Sequence, residues 1–586
     1  MMTTKHFGLS LVTALTMAVA VSCGSPEPGF REAGDPVAVL PAEDSLWNLA
    51  GKGLNAGWVS ADFRYSRSTV PEAAFRDTLK IAAWKGERVS GQFLLWTMDG
   101  TPHVSCVPGL LQSESGSIGT DCQSCRFVRY TLADTPEPEC RCNKPEDHPF
   151  MLVPDMLDNI PSMDIEARTV RPVWFSADVP RDAGAGVYVG EVAVKSGRRT
   201  LKTLPVKLTV IDRTLPSPDE WTYHLDLWQH PSAVARTSGT EMWSDGHFEA
   251  LSSEMSLLAD AGQKVITCTL NRDPWNHQCY DGYENMISWT LGKDGSWSYD
   301  YKVFDRWVSL MMSLGVDKMI NCYSMVPWNC LLDYYDEATS EMKTVEAKPG
   351  TELFEQMWRP FLKDFKQHLA SKGWLEITNI AMDERSPQEM DAAAILLQEC
   401  APEMGFAIAD NHQSYRKYTM MRDVCVDISN PMDSTDVVSR RGNGFTSTFY
   451  ACCSTAFPNT YTYSEPYEAE LLVLYGEAVG YDGMLRWAYN SWPEDPCFDS
   501  RFGHFGSGDT YFVYPGARSS MRFERLRDGI ETAEKIRLLR ENPDCGDACA
   551  EKLDRALSLL LDHRINDPGH PWPQLLQKIT DVSNGL

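Results

Sequence analysis

The chain has 586 residues, of which 43% are hydrophobic, so it is long enough for more than one globular domain and too apolar to be disordered. Its formal charge of −27 argues against a nucleic-acid partner, because binding to phosphates requires clustered lysine and arginine side chains. The 18 Trp, 22 Tyr and 22 Phe suit a protein that stacks on flat ligand faces such as sugar rings, and they equally suit a large core.

Residues 1–22 are predicted to be a signal peptide. Lys5 precedes an apolar run, residues 8–21, that is too short to span a bilayer. The run ends in AVSCG, which resembles a bacterial lipobox; ordinary signal cleavage nearby is the alternative. Cleavage before Cys23 would leave this cysteine as the lipidated N-terminus, followed by a Gly/Pro-rich tether over residues 23–36. We expect an exported lipoprotein of a Gram-negative-type bacterium, on the periplasmic or cell-surface face of the outer membrane, that contacts the membrane only through its lipid anchor.

Export makes disulfides possible for the remaining cysteines. Cys545 and Cys549 are candidates for one disulfide near the C-terminus. A second group could form disulfides, stay as free thiols or hold a structural metal, although its CxC spacing is poor for a zinc finger. This group comprises Cys106, Cys122, Cys125, Cys140 and Cys142.

Residues 37–212 show short alternating segments separated by turn residues, such as RVSGQFLLW and GVYVGEVAVKSG. Period-two alternation of this kind is typical of strands with one buried face. The segment is therefore predicted to be a β-sandwich domain. Residues 213–220, RTLPSPDE, contain two prolines and form the predicted linker.

Residues 221–586 alternate between strand-like and helix-like patterns. Eight strands are predicted, at WTYHLDLW, KVITCTL, KMINCYS, EITNIAM, FAIAD, VCVDI, TSTFYAC and MLRWAYN. A glycine stands before the next strand five times, where it would end a helix: Gly262, Gly315, Gly373, Gly405 and Gly480.

Eight strands with intervening helices predict a (β/α)8 TIM barrel, followed by C-terminal helices. A doubly wound open sheet is the competing architecture, although no GxGxxG follows the first strand. Neither HExxH nor GxSxG occurs, so zinc-protease and serine-hydrolase functions lose their usual motifs. We expect neither a cofactor nor a metal.

An acidic pair, Asp383 and Glu384, lies in NIAMDERSPQEM directly after the fourth predicted strand. Catalytic groups of a barrel lie where strands end, and the next residues predict a capping box with Ser386 at the N-cap, Pro387 at N1 and Glu389 at N3. The pair is thus held between a strand end and a well-defined helix start. A solvated acidic loop is the alternative interpretation.

Two adjacent carboxylates do not suit the common glycosidase schemes, which place the groups on separate strands about 5 to 9.5 Å apart. They suit a reaction in which the substrate supplies its own nucleophile. In that scheme Glu384 protonates the leaving oxygen, and Asp383 holds the 2-acetamido group whose carbonyl oxygen attacks C1. Close negative charges also raise the pKa of one carboxyl, as a general acid requires.

Polar and aromatic residues follow the other strands and predict a carbohydrate pocket at the barrel mouth. A tryptophan can wall the sugar face, and a tyrosine hydroxyl can donate to the acetamide oxygen as charge develops. Each of these residues alone could equally be a core or loop residue. The candidate substrate-binding residues are Asn411, His412, Tyr461, Trp487, Tyr489 and Asp509.

Several longer segments resemble glycoside hydrolase family 123, the β-N-acetylgalactosaminidases. They are the acidic pair after strand four and FPNTYTYS, DGMLRWAYNSW, GDTYFVYPG, RFERLRDGIE and PVWFSADVPRDAGAGVYVGEV. The resemblance implies a β-sandwich followed by a barrel, and retaining, substrate-assisted hydrolysis. It implies that Asp383 orients the acetamide and that Glu384 is the general acid/base.

The expected function is exo-acting removal of terminal β-linked N-acetylgalactosamine from a glycan. Two alternatives remain at this stage. One is a related glycosidase that acts on β-N-acetylglucosaminides or in endo fashion, because galacto and gluco sugars differ only in one hydroxyl orientation. The other is a non-catalytic glycan-binding lipoprotein. The sequence leaves the oligomeric state open.

Overall fold

The computed structural model describes residues 31–36, 41–136, 144, 147–410, 412–503, 505–543, 545–562 and 564–585. The predicted signal peptide, Cys23 and residues 24–30 of the tether lie outside these ranges. No helix within them combines the length and hydropathy that a membrane span requires.

The N-terminal part is rich in β-sheet. A five-stranded sheet has the order β1-β3-β10-β7-β8, and a seven-stranded sheet follows the path β2-β12-β11-β4-β9, with β5 and β6 attached to β11. The elements are helix α1 (Pro41–Leu49) and strands β1 (Leu54–Val59), β2 (Leu79–Lys85), β3 (Arg88–Thr97), β4 (Thr101–Pro108), β5 (Leu111–Ser113), β6 (Gly116–Ile118), β7 (Gln123–Asp134), β8 (Phe150–Asp158), β9 (Met163–Ile165), β10 (Thr169–Asp178), β11 (Gly186–Ser196) and β12 (Arg199–Thr214).

The two sheets share one apolar core. Trp58 of β1 packs edge-on against Phe93 and Phe175 of the same sheet, with ring centroids 5.1 and 5.8 Å away. Its indole nitrogen donates to the Pro205 carbonyl of β12, in the other sheet, at 2.9 Å. The last strand, β12, continues to Thr214, two residues into the segment predicted as a linker.

The C-terminal part contains an eight-stranded parallel sheet in the order β13-β24-β23-β22-β21-β20-β17-β14. All eight predicted strands are present. The strands of this part are β13 (His224–Leu227), β14 (Val265–Thr269), β15 (Ser288–Leu291), β16 (Trp297–Asp300), β17 (Met319–Tyr323), β18 (Leu331–Asp336), β19 (Glu341–Glu346), β20 (Thr378–Met382), β21 (Gly405–Asp410), β22 (Met421–Asp427), β23 (Thr446–Tyr450) and β24 (Gly483–Arg486).

Helices separate most of these strands, as expected for a barrel of the TIM type. They are α2 (Pro231–Ser238), α3 (Asp245–Ala259), α4 (Lys302–Ser313), α5 (Glu352–Lys372), α6 (Pro387–Cys400), α7 (Ser434–Gly442) and α8 (Tyr467–Val479). Three C-terminal helices follow: α9 (Met521–Glu541), α10 (Gly546–Leu561) and α11 (Trp572–Gly585). The predicted disulfide between Cys545 and Cys549 is confirmed. It links the residue directly before α10 to the first turn of that helix.

The barrel is nearly closed between its first and second strands. One isolated bridge, Leu225 to Gln263, joins β13 to the residues before β14. Two glutamine side chains supply further bonds: the Gln263 side-chain oxygen accepts from the Leu227 amide at 3.0 Å, and that of Gln229 accepts from the Thr267 amide at 2.8 Å. Side-chain amides thus replace part of the backbone ladder at this seam.

The glycine interpretation holds at four positions and is wrong at the fifth. Gly262, Gly315, Gly373 and Gly480 have φ between 76° and 97°, the left-handed conformation of a helix stop. Gly405 is instead the first residue of β21, where a Cβ would lie 2.4 Å from the Arg422 and Asn379 side chains. Glycine is required there by close packing between strands and not by a helix end.

One element has no counterpart in the predicted strand-helix alternation. Strands β15, β16, β18 and β19 form a separate four-stranded sheet, inserted on both sides of the third barrel strand. Trp289 of β15 stacks on Phe361 of α5, with ring centroids 4.5 Å apart. This insertion positions the loop after β17, which reaches the barrel mouth.

Candidate active site

The acidic pair lies where the fourth barrel strand becomes helix α6. Strand β20 ends at Met382, and α6 starts at Pro387. The predicted capping box is confirmed: the Glu389 carboxylate accepts from the Ser386 amide at 3.0 Å, and the Ser386 hydroxyl accepts from the Glu389 amide at 3.4 Å. The backbone of the pair is therefore fixed at both ends.

The two oxygens of the Asp383 carboxylate have different donors. The indole Nε1 of Trp328, from the loop after β17, donates to Oδ2 at 3.0 Å. The backbone amide of Glu384 donates to Oδ1 at 2.9 Å. Since a carboxylate can accept about four hydrogen bonds, accepting capacity remains for a ligand.

The Glu384 carboxylate turns to another part of the mouth. Tyr450, the last residue of β23, donates its hydroxyl to Oε1 of Glu384 at 2.5 Å. Asp383 is thus held by the third strand's loop and Glu384 by the seventh strand. Adjacent residues in sequence therefore address two different regions of one site.

The surroundings shift the pKa of both carboxyls. Burial raises the pKa of Asp383, against the opposing effects of its two hydrogen-bond donors and the Arg385 charge. Burial is also the main cause of the raised pKa of Glu384. The negative charges of Asp383 and Asp427 raise it further, while the Tyr450 hydrogen bond opposes the shift.

Asp427 is a third carboxylate at the mouth, at the end of β22. Its Oδ1 accepts from the amide and the hydroxyl of Ser429 at 2.7 and 2.5 Å, and its Oδ2 accepts from the Ser454 hydroxyl at 3.3 Å. Its charge acts on Glu384 without touching it. Asp427 is not among the residues predicted from the sequence, although its position near the end of the predicted strand VCVDI is a signal that could have identified it.

Aromatic rings cluster beneath the same mouth. Trp228, which follows β13, lies with its ring centroid 5.0 Å from Trp275 and 4.7 Å from Tyr323, the last residue of β17. These rings share one apolar cluster with Tyr450, Ala381 and the partly buried Trp487. Trp228 is the last residue and Tyr323 the second-last residue of a predicted strand, so selection of aromatic residues near strand ends would also have included them.

The structure brings two of the predicted binding residues together and orients one of them. The Trp487 indole donates to Oδ2 of Asp509 at 3.0 Å. Asp509 is fully buried and forms an ion pair with Arg486 at 2.7 Å, so it anchors the indole from below. Trp487 itself is partly exposed and packs edge-on against Phe505.

The other predicted residues lie in different environments. His412 is exposed near Glu384, whose pKa its charge lowers. The buried Tyr461 donates its hydroxyl to the Cys452 and Thr455 carbonyls at 3.3 and 3.2 Å. Tyr489 is not brought to the mouth: it lies in the core and donates to the Glu254 carbonyl at 2.9 Å. Asn411 lies outside the described residues.

The predicted cysteine cluster contains free thiols where the structure describes it, at Cys106, Cys122 and Cys125. Burial raises the pKa of Cys106 to about 12 and that of Cys125 well above its ordinary value. Cys140 and Cys142 lie outside the described residues. Within the described ranges, no three His, Cys, Asp or Glu residues are grouped as metal ligands would be.

The family model described as the glycoside hydrolase 123 catalytic domain matches residues 228–539, more than half of the chain. The chain belongs to glycoside hydrolase family 123. The model of the N-terminal domain of family 123 matches residues 58–196, within the sheet-rich part of this glycoside hydrolase. No curated protein matches the sequence.

Among solved structures, this glycoside hydrolase is similar to a family 123 enzyme from Clostridium perfringens that was studied for glycolipid glycan hydrolysis. The two share 24% sequence identity and a TM-score of 0.80, over 91% of this chain and 97% of the other, which indicates a common fold. A family 39 glycoside hydrolase from the gut symbiont Bacteroides cellulosilyticus WH2 reaches 8% identity and a TM-score of 0.34, over 78% and 82% of the two chains. That second likeness is too low to bear on fold or activity.

Proposed function

We propose that this family 123 enzyme is a retaining, exo-acting β-N-acetylgalactosaminidase that uses the substrate's own 2-acetamido group as nucleophile. The observation that carries the proposal is the divided anchoring of the acidic pair. Trp328 holds Asp383 and Tyr450 holds Glu384, so two adjacent carboxylates are available for two different atoms of one sugar. A pair that flanked a single bond from opposite sides would require separate strands.

In the first step the acetamide carbonyl oxygen attacks C1, and the bond from C1 to the leaving oxygen breaks. Glu384 gives its proton to that oxygen, and Asp383 accepts a hydrogen bond from the acetamide N–H, which stabilises the positive charge of the cyclic oxazolinium. In the second step water attacks C1, the bond from C1 to the acetamide oxygen breaks, and one proton of the water passes to Glu384, which restores the acetamide and the acid. Two displacements at C1 retain the anomeric configuration.

The raised pKa of Glu384 supports its role as the acid. A carboxyl whose pKa lies above its ordinary value stays protonated to higher pH and can donate under mild conditions. The mouth also suits a sugar: Trp487 provides a fixed indole wall, and the exposed His412 follows the fifth strand near Glu384.

The test is hydrolysis of a panel of aryl β-glycosides with and without the 2-acetamido group. We expect activity on the 4-nitrophenyl β-N-acetylgalactosaminide and none on the galactoside. Glu384→Gln should reduce the rate by about 10²- to 10⁴-fold, the usual contribution of a general acid, while sugar binding persists. Normal hydrolysis by this variant would overturn the proposed mechanism.

Asp383→Asn tests the other half of the proposal. The change removes the charge that stabilises the oxazolinium, so hydrolysis of acetamido sugars should fall, and inhibition by a thiazoline that mimics the cyclic intermediate should weaken. Wild-type enzyme that resists the thiazoline would exclude substrate assistance. Preference for the gluco epimer, or cleavage within a chain, would redirect the proposal to a related glycosidase, and binding without hydrolysis would make the protein a glycan-binding lipoprotein.

We also propose that the enzyme is an exported lipoprotein, with a signal peptide over residues 1–22 and lipidation at Cys23. The AVSCG sequence supports this, and [³H]palmitate labelling that is lost in Cys23→Ala would test it. A β-sandwich is the proposed arrangement of the N-terminal sheets, with domain bounds at 37–212 and 221–586. Because a similar enzyme acts on glycolipid glycans, glycolipids belong in the panel of natural substrates.

A further inference from the structure

Trp328 occupies an unusual position for an exposed tryptophan. It lies in the loop between β17 and β18, and 40% of its surface is exposed at the barrel mouth. Its Nε1 nevertheless donates to Oδ2 of Asp383 at 3.0 Å. An indole on a loop can rotate about two side-chain torsions, so this bond requires something else to fix the ring.

Arg385 supplies that second contact. Its guanidinium carbon lies 4.0 Å from the centroid of the Trp328 ring, within the range of a cation–π interaction. Arg385 directly follows the acidic pair, so the same strand-to-helix turn that presents Asp383 also presents the group that stacks on its donor. The indole is therefore held at its edge by one residue of the turn and on its face by another.

The bonding of Arg385 indicates that stacking is its main role. Only 9% of the residue is exposed, and its Nε and Nη2 atoms are buried with no hydrogen-bond acceptor among the described residues. An arginine kept for an ion pair would have a carboxylate within reach, and none of the ion pairs in the described ranges includes it. A planar cation against an aromatic face remains as its specific contact.

We propose that Arg385 and Trp328 form a positioning relay that fixes the plane of the Asp383 carboxylate for the substrate's acetamide. The kinetic consequences of the relay depend on the proposed function, whereas its geometry depends only on the contacts described above. With Oδ1 held by the Glu384 amide and Oδ2 by the indole, the carboxylate cannot rotate. The remaining acceptor directions then point consistently at the bound sugar.

The relay also bears on the charge of Asp383. The groups that act on this carboxyl are the Glu384 amide, the Trp328 indole and the Arg385 charge, and the Asp383 charge in turn contributes to the raised pKa of Tyr323 and Glu384. Burial raises the pKa of Asp383, and the indole and the guanidinium both oppose that rise. Loss of either group should therefore raise the pKa further and leave less of the ionised form that the acetamide requires.

The kinetic test uses Trp328→Phe, which keeps a ring for Arg385 but removes the N–H. We expect kcat to fall by about 100-fold, the usual cost of a misplaced reacting group, with a smaller change in KM. The acid limb of the pH profile should move to higher pH while the alkaline limb, which reports Glu384, stays in place. Trp374→Phe is the matched control, because Lys372 lies over its ring at 5.7 Å at the opposite end of the fourth strand.

Arg385 is tested with two substitutions. Arg385→Met should shift the acid limb in the same direction as Trp328→Phe, and Arg385→Lys should restore it in part, because the charge returns without the planar stack. The double variant Trp328→Phe/Arg385→Met should lose less than the sum of the two single losses, since both residues act through one carboxylate. Additive losses, or an unchanged acid limb, would overturn the relay.

A spectroscopic measurement keeps the relay separate from the proposed function. In a ¹⁵N-indole spectrum of the full chain, the Trp328 signal is the one missing in Trp328→Phe. We expect this signal to move with pH as Asp383 titrates, to stop doing so in Asp383→Asn, and to shift or broaden in Arg385→Met. A signal that ignores both substitutions refutes the relay even in an active enzyme, and a signal that responds supports it even if the substrate proves to be another sugar.

Discussion

At the scale of single residues, Tyr450 separates the tasks of the acidic pair. Its hydroxyl donates to Glu384 and not to Asp383, and burial together with the Glu384 charge raises the pKa of the phenol, so it stays a donor at any working pH. The hydrogen bond opposes the upward shift of the Glu384 pKa. Tyr450 therefore influences both the orientation of the Glu384 carboxyl and its pKa.

Tyr450→Phe should change the alkaline side of the pH profile. Loss of the hydrogen bond raises the pKa of Glu384, so the protonated form persists to higher pH and the alkaline limb of kcat/KM moves upward. The rate at the optimum should fall about tenfold, because one well-made hydrogen bond to a charged group is worth about 1.5 kcal/mol or more. Initial rates measured between pH 4 and about 9 provide the check.

Tyr481→Phe is the control for this change. Its hydroxyl accepts from the Met432 amide at 2.8 Å, away from the acidic pair. The substitution should lower stability without moving either limb. An equal shift of the alkaline limb in both variants would show that Tyr450 does not specifically control the pKa of Glu384.

The residues of the site differ in how far sequence could identify them. The place of Asp383 and Glu384 follows from local signals, because a strand end and a capping box bracket them. Trp328 and Tyr450 contact the pair from the third and seventh strands, and such contacts depend on barrel register that a single sequence does not contain. Tyr489 shows the opposite case: a strand-end position did not prevent its side chain from turning into the core.

At the scale of elements, the start of α6 controls the acidic pair. Ser386, Pro387 and Glu389 fix the first helical turn, and the backbone amide of Glu384 immediately before it donates to Asp383. The helix cap thus does more than satisfy orphan amides. It determines where the chain stops being a strand.

Ser386→Ala should lower both stability and activity. Loss of an N-cap hydroxyl costs about 1 kcal/mol, measurable by urea or thermal unfolding. The frayed turn should also reduce kcat severalfold, because the Glu384 amide loses its fixed position.

Thr351→Ala provides the comparison, since the Thr351 hydroxyl accepts from the Phe354 amide at 3.3 Å in the equivalent cap of α5. It should cost similar stability and leave kcat unchanged. A similar loss of kcat in both variants would mean that activity follows overall stability and not the α6 cap.

The elements that could be predicted are those with strong local patterns. Strand-like segments that alternate with helix-like segments predicted the eight barrel strands, and four glycines marked helix ends correctly. The four-residue strands β15 and β16 carry too little periodicity to predict a sheet, and their partners β18 and β19 lie beyond another barrel strand. Gly405 was misassigned because sequence does not distinguish a glycine required by positive φ from one required by close packing.

At the scale of the whole molecule, helix α9 joins the barrel to the N-terminal sheets. Arg522 pairs with the buried Asp155 of β8 at 3.0 Å, and Lys535 pairs with Glu87 at 2.7 Å. A buried ion pair leaves an uncompensated charge when one partner is lost, so separating the barrel from the N-terminal sheets costs free energy. The two parts should therefore unfold together, which the charge count alone could not indicate.

The same region predicts how stability depends on pH. Burial raises the pKa of Glu465 to about 7, of Glu468 to about 8, of Glu470 to about 7 and of Asp528 to about 6. A carboxyl with a raised folded-state pKa stabilises the protein below its unfolded pKa, and this stabilisation is lost as pH rises through the folded value. Tm should therefore fall by several degrees between about pH 5 and pH 8.

Calorimetry at several pH values checks this expectation. Glu465→Gln should flatten the slope, because it removes one titrating group and keeps an oxygen to accept from the Arg64 amide. Glu524 contributes a dependence of Tm on pH with the opposite sign, because the positive charges of Arg126 and Arg88 outweigh burial and lower its pKa to about 2. A Tm that rises from pH 5 to 8 would contradict the prediction.

The seam between β13 and β14 has a consequence for the motions of the barrel. Where Gln229 and Gln263 replace ladder bonds, the closure of the ring depends on side-chain torsions as well as on backbone geometry. Backbone amides along this seam should exchange with deuterium sooner than those between β22 and β23, whose parallel register runs without a shift. We therefore expect local opening of the barrel to begin at this seam, next to the Trp228 ring beneath the mouth.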